Sequence, residues 1–486
     1  MFPANDNPGT RNLLPGDRQS SFTEKRFEKF FGILKYLGRK EATLIIMALG
    51  LAVRITLLFF FTQIPLFEYE LDYHKFAVQI LHNESFEPFL PPGLSCWLAF
   101  CYRFCGESEF VAKLSMLFFY ALLCLFSFLY LKKTANILAA NLALAVFAIY
   151  PAFVFYSIWP QTHFPIAVLL IIIVYLFDSL QSKTRINALL IGLTAGVLIL
   201  IRPSGLIYLI VIPLLVLRHL RAKGFPATAL ILAGAILPIL LWQYKLGKVT
   251  KEKVFINSSN AMNFYLGNNE FTPLYRTWWF GSHSSGQDGV SSLFSEREKW
   301  LRSIPTSLRT RMYYDLALKH ILSRPDLFLL RTINRFRCYF AFDSNFGTIA
   351  LKRLKLGLPM AAGILGLDAL CYCFIFLGAI LYLFGQGSSS LAKSQTETIL
   401  IIALAYAAPY WISFAHPSYH LPIVPLFTVF SAVFGARFIE ERSQSTENPP
   451  ALRKNIKLWI ALLLFLYIQL EWFVRLASSF LISGRF

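Results

Sequence analysis

Ala42-Thr43-Leu44-Ile45-Ile46-Met47-Ala48-Leu49-Gly50-Leu51-Ala52-Val53-Arg54-Ile55-Thr56-Leu57-Leu58-Phe59-Phe60-Phe61 is a strongly apolar run whose one charge is Arg54. A helix of about 20 residues rises roughly 30 Å, the thickness of a bilayer's hydrocarbon core. Comparable runs (Phe110–Leu131, Ile166–Phe177, Trp459–Ile468) recur along a chain of 486 residues, 56% of them hydrophobic and 15% charged, with mean hydropathy +0.54. A soluble domain would carry about 25% charged residues. The composition predicts an all-α polytopic membrane protein. Arg54 is costly in mid-membrane and is expected to face the bundle interior or a wet cavity.

Working outward, residues 1–41 form a cytoplasmic tail, its start Pro/Asn/Gly/Ser-rich and expected to be partly disordered. Its basic end (Lys25, Arg26, Lys29, Lys35, Arg39, Lys40) holds the chain inside, so the first span runs outward. Alternation from there puts Lys132-Lys133, Lys183 with Arg185, Arg218 with Arg221 and Lys223, and the basic loop 437–457 on one inner side. The apolar block 186–217 is split at Arg202-Pro203-Ser204-Gly205 into an outward and an inward segment. The whole gives about eleven spans. Residues 42–243 form an N-terminal transmembrane module with a first outer loop at 64–109. Residues 244–357 form a small outer region, Gly/Ser-rich at 281–292 and helical near 307–322 and 326–340; residues 358–486 are C-terminal transmembrane helices.

The net charge of +19 is spread between apolar spans and along the outer region, a distribution that suits anionic lipid headgroups and excludes a nucleic-acid groove. The seven cysteines form no CxxC pair and sit mostly in apolar surroundings, so neither a metal site nor a disulfide frame is expected. No cofactor motif is present, and the polar tail ahead of the first span argues against a cleavable signal peptide.

The first outer loop opens with Glu68-Tyr69-Glu70-Leu71-Asp72-Tyr73-His74-Lys75-Phe76-Ala77-Val78-Gln79-Ile80-Leu81. Tyr73, Phe76, Ala77, Ile80 and Leu81 share one helical face, which predicts an interfacial amphipathic helix. Asp72 is either the N-cap of that helix or, with Glu70, a base for a reaction at the bilayer edge. Three further polar features fall on the outer side: Arg202-Pro203-Ser204-Gly205, Asn263 to Asn269, and His416-Pro417-Ser418-Tyr419-His420. A lipid phosphate leaves as a stabilised anion, so one carboxylate and one or two cations suffice to transfer the group it carries. Asp72 or Glu70, with Arg202 and His420, makes that minimal set. Trp278-Trp279-Phe280 reads as an interfacial anchor or a sugar-stacking surface.

These residues, in this order, resemble the GT-C superfamily of integral-membrane glycosyltransferases, which includes protein O-mannosyltransferases and the lipid A aminoarabinose transferase. The resemblance covers most of residues 42–436. It rests on Arg54, on an acid ahead of Tyr73-x-x-x-Ala77, and on Pro91-Pro92-Gly93 with Leu98-Ala99 and Tyr102 to Gly106. It continues through Tyr150-Pro151 to Ser157, Arg202-Pro203-Ser204-Gly205, Leu266-Gly267-Asn268-Asn269, and Ser418-Tyr419-His420-Leu421-Pro422 to Pro425. Two departures are Gln161-Thr162-His163, where many members have Glu, and Ser418 in place of an Arg. The resemblance implies inverting, metal-independent transfer of a sugar from a polyprenyl-phosphate donor to a lipid, glycan or protein acceptor. The site would face the periplasm from a bacterial inner membrane. By that reading Asp72 or Glu70 is the catalytic base, Arg202, Tyr419 and His420 hold the donor phosphate, and Tyr73, His74, Asn268 and Asn269 contact substrate. The alternatives are a lipid-linked-sugar flippase or other transporter, and a catalytically degenerate assembly protein of the same fold.

Overall fold

A computed structural model of the chain describes residues 36–182, 184–250, 254–274, 292–343, 349, 354–385, 391–444 and 455–483. The expected tail up to residue 35, the Trp278-Trp279-Phe280 surface and the Gly/Ser-rich loop lie outside the described residues. Among those described there is no strand. The N-terminal half runs through α1 (Lys40–Phe60), α2 (Glu68–His82), α3 (Pro92–Cys105), α4 (Glu109–Thr134), α5 (Ile137–Ile149) and α6 (Pro151–Tyr156). It continues with α7 (His163–Asp178), α8 (Thr184–Ile201), α9 (Tyr208–Leu220) and α10 (Gly224–Val249). The outer region holds α11 (Ser259–Gly267), α12 (Ser292–Ser303), α13 (Thr306–Ser323) and α14 (Pro325–Tyr339). The chain closes with α15 (Leu358–Phe384), α16 (Lys393–Ile412), α17 (Val424–Gln444) and α18 (Ile456–Ser483).

Among the described residues, six helical stretches are long and apolar enough to cross a membrane: Lys40–Gln63, Glu109–Thr134, Thr184–Ile201, Pro203–Val249, Leu358–Phe384 and Pro417–Glu441. Helices α5 and α7 and the Ile456–Leu470 part of α18 are apolar but shorter. Length and composition alone do not confirm the count of about eleven spans that alternation gives.

Charges inside the apolar body are spent on backbone. Arg54 is fully buried and donates to Ser157 Oγ at 2.7 Å, Gly50 O at 3.0 Å and Phe147 O at 2.7 Å, with its guanidinium 3.5 Å from the Tyr120 ring. Lys113 Nζ donates to Phe61 O at 3.1 Å and Ile64 O at 2.5 Å, in the turn that follows α1. Asp368 of α15 accepts from Ala152 N at 2.8 Å and so caps α6, whose own N-cap Tyr150 offers no side-chain acceptor. An unpaired ion in such surroundings would cost several kcal/mol, and these three are held.

Helices α8 and α10 meet along small residues. Gly192 rests on the Ile231 carbonyl, and a Cβ on Gly196 would stand 2.5 Å from the Ala235 carbonyl. Without a hydrophobic drive between helices in lipid, such close backbone approach supplies the packing. The outer helices have a small core of their own, built from Tyr265, Leu266, Phe294, Leu301, Tyr313 and Ala317 and closed by Phe414 and Ala415, just past the end of α16.

Candidate active site

Helix α2 begins at Glu68, which places Asp72 in its second turn. Asp72 is therefore not the N-cap; Phe67 holds that position. The acids of the first turn, Glu68 and Glu70, lie where the helix dipole favours negative charge. The buried face is Tyr73, Phe76, Ala77 and Ile80, as the periodicity predicts, and Ser95 Oγ anchors it by donating to Tyr73 O at 3.0 Å. Glu68 itself has φ 47°, a left-handed backbone that a glutamate adopts only under constraint.

The turn between α6 and α7 brings the next side chains. Pro151 starts α6, and Trp159 is fully buried, 5.3 Å from the rings of Phe155 and Phe67 and 4.9 Å from Lys113 Nζ. This clamp fixes Gln161, Thr162 and His163 where α7 begins. Gln161 Nε2 donates to the buried Glu70 carboxylate, tying α2 to the turn.

Arg202 sits where α8 ends, because Pro203 has no N–H to continue the helix. Gly93 lets the start of α3 approach this point; a Cβ there would meet Ile201 N at 2.5 Å. The Arg202 guanidinium lies 4.4 Å from the Tyr419 ring and 5.3 Å from that of Tyr410. Tyr410 is itself fixed by Ser204 Oγ and Tyr406 OH, each at 3.0 Å. His416 caps the turn that carries Tyr419, accepting at Nδ1 from Ser418 N at 3.1 Å. Tyr419 stacks on His163 with centroids 5.7 Å apart.

Together these segments enclose a cleft of about 230 Å³ bordered by Glu68, Tyr69, Tyr73, Gln161, His163, Arg202, His416 and Tyr419. Asn260, Met262 and Asn263 of α11 form its outer wall. In it, Nη1 of Arg202 and both ring nitrogens of His163 are buried without a hydrogen-bond partner. Buried donors and acceptors are almost always paired, so orphans of this kind mark a place for a polar ligand. Burial, the largest influence on Tyr73, pushes its phenol pKa up against the opposing pull of Arg202, so it stays a donor.

The cleft unites Arg202, Tyr419 and Tyr73 from the residues expected on sequence grounds. Glu70 is one step back, behind Gln161. Asp72 is exposed and does not border the cleft. His420 turns into the core, 3.0 Å from Tyr339 O and packed on Tyr372 and Phe376. His74 pairs with Tyr102 OH at 2.7 Å on the other side of α2. Asn268 and Asn269 are buried in a turn that pins the outer region: Asn268 Nδ2 donates to Ile412 O at 2.9 Å, and Asn269 Nδ2 to Tyr265 O at 2.8 Å. Glu68, Gln161, His163 and His416 take the places that those residues leave. In the sequence His163 stands out only as part of the Gln161-Thr162-His163 departure that follows the Tyr150-Pro151 turn. Among the described residues no cluster of His, Cys, Asp and Glu has the arrangement of a metal site.

No family model matches the chain, and no curated protein matches it in sequence. Among solved structures it is similar to the archaeal oligosaccharyltransferase AglB from Archaeoglobus fulgidus in complex with an inhibitory peptide and a dolichol-phosphate. The identity is 15% over 88% of this chain and 54% of that one, with TM-score 0.47. The apo form of the oligosaccharyltransferase from the same organism gives 16% identity over 88% and 55%, TM-score 0.47. A form tethered to an acceptor peptide containing the NVT sequon gives 14% over 88% and 54%, TM-score 0.44. The chain spans about half the length of these proteins.

Proposed function

We propose that this chain is a membrane glycosyltransferase that moves a sugar from a lipid-phosphate donor to an acceptor hydroxyl at the outer ends of its helices. The observation that carries the reading is the orphaned Arg202 Nη1 and His163 ring, in the same cleft as the strained Glu68. A guanidinium with an open N–H and an imidazole with both nitrogens open suit the oxygens of a phosphate. A carboxylate in the same cleft suits a hydroxyl that must lose its proton.

The Glu68 carboxylate takes the acceptor's proton as that oxygen attacks the anomeric carbon. The bond from that carbon to the phosphate oxygen breaks on the opposite face, and the configuration inverts. The phosphate leaves with the electron pair toward Arg202, with His163, Tyr419 and Tyr73 as further hydrogen-bonding partners. No acid is required, because the leaving group is already a stable anion, unlike the alkoxide of a hydrolysed glycoside. Glu70 acts through Gln161, holding the turn that presents His163. Asp72 has no part in the reaction.

The transporter reading draws no support from the buried charges. Arg54, Lys113 and Asp368 are each tied to backbone.

The test is sugar transfer by purified protein in lipid nanodiscs, supplied with a panel of polyprenyl-phosphate sugars. Glu68→Gln should lower kcat by about 10²–10⁴-fold with little change in donor KM. Asp72→Asn should match wild type. Transfer that survives Glu68→Gln unchanged, or is lost with Asp72→Asn, overturns the assignment.

A further inference from the structure

Beyond the cleft lies a second cavity, of about 180 Å³, bordered by Glu87, Ser258, Arg302, Arg309 and Tyr313. Phe89 and Met262 line both cavities, and the adjacent residues Ser258 and Ser259 face one each. The wall between them is fixed: Ser258 N donates to Pro88 O at 2.8 Å, and Asn257 Nδ2 to Phe89 O at 3.1 Å. Resting on the transferase reading, we infer that this outer cavity is the acceptor subsite and that it takes a carbohydrate group, whose hydroxyl reaches Glu68 past Phe89 and Met262.

The lining is amphipathic in the way a sugar ring requires. Phe89, Met262 and the Tyr313 ring offer apolar surface to C–H faces. Arg309 is already aligned, pairing with Glu87 and donating to Thr306 Oγ1 at 3.2 Å, so the two present donors and a carboxylate acceptor side by side. Tyr313 OH is held by Glu298 at 3.1 Å. Arg302 reaches Glu298 only at 3.7 Å with its side chain 66% exposed, so it can swing onto a ligand at little cost. Ser258 is 4% exposed and its Oγ has no hydrogen-bond partner, the same mark that singles out Arg202 and His163 in the inner cleft. Arg302 and Arg309 are balanced by Glu87 and Glu298, so an anionic headgroup gains no excess of positive charge.

The experiment is saturation-transfer NMR on the full-length protein in detergent. Its probes are the methyl glycosides of glucose, mannose, galactose and N-acetylglucosamine, together with a Ser/Thr-containing octapeptide. At least one glycoside should give a signal that falls by about five-fold or more in Arg302→Ala and in Glu87→Gln, both exposed enough to leave folding intact. The signal should persist in Arg202→Ala. Absence of any glycoside signal overturns the inference, as does a signal that ignores Arg302 and Glu87 or one that vanishes with Arg202. Binding of the octapeptide alone, lost in Arg302→Ala, would reassign the cavity to peptide. Because binding of a lipid-free sugar is read here, the outcome is separable from whether Glu68 supports transfer.

Discussion

Glu68 and Asp72 stand one turn apart on the same helix, yet only Glu68 borders the cleft. The acids themselves were plain in the sequence. Their division of labour was not, because the apolar period starts at Tyr73 and draws attention to the residue before it. The left-handed backbone of Glu68 has no sequence signature, since nothing in the residue type asks for it. His420 shows the same limit: it follows Tyr419 directly, but the short turn there sends the Tyr419 ring to the cleft and the His420 ring to Tyr339. His74 gives a prediction of its own. Burial holds its pKa below the ordinary histidine value. The unfolded chain therefore takes up the proton first, and stability falls as pH drops through about 6.5. Thermal midpoints in detergent at pH 7.5 and 5.5 should differ more for wild type than for His74→Gln.

At the scale of elements, hydropathy placed the helices well, and the basic clusters gave them a consistent direction. Charges inside the spans were read correctly as inward-facing for Arg54, but their partners could not be read. Ser157 and Phe147 lie far away in sequence, and only the packed turn brings them to the guanidinium. Likewise Leu266-Gly267-Asn268-Asn269 was visible as a motif and its purpose was not: it locks α11 onto the end of α16, with Gly267 against Ser413 and Asn268 on Ile412. The α8–α10 seam is testable. Gly196→Val should destabilise by about 1–3 kcal/mol through overpacking, seen as a lower unfolding midpoint in denaturant. Gly363→Ala, where a Cβ would meet nothing within 4 Å, should be neutral or slightly stabilising.

For the whole molecule, the polytopic helical architecture follows from composition alone, whereas the cleft is a product of topology. Its walls come from α2, the α6–α7 turn, the end of α8, α11 and the turn after α16, segments that no local pattern connects. Their common end of the bundle is what the proposed function draws on: in that proposal the lipid chain stays among the apolar helices while its phosphate meets Arg202 and His163. Mass spectrometry of lipids co-purified with the protein in mild detergent tests this most directly. A polyprenyl phosphate or its glycoside should accompany wild type, His420→Asn and Asp72→Asn. It should be depleted by about ten-fold or more in Arg202→Ala with His163→Ala, as expected for loss of charge-assisted bonds. Equal lipid phosphate in that double variant, or none in wild type, would contradict the account.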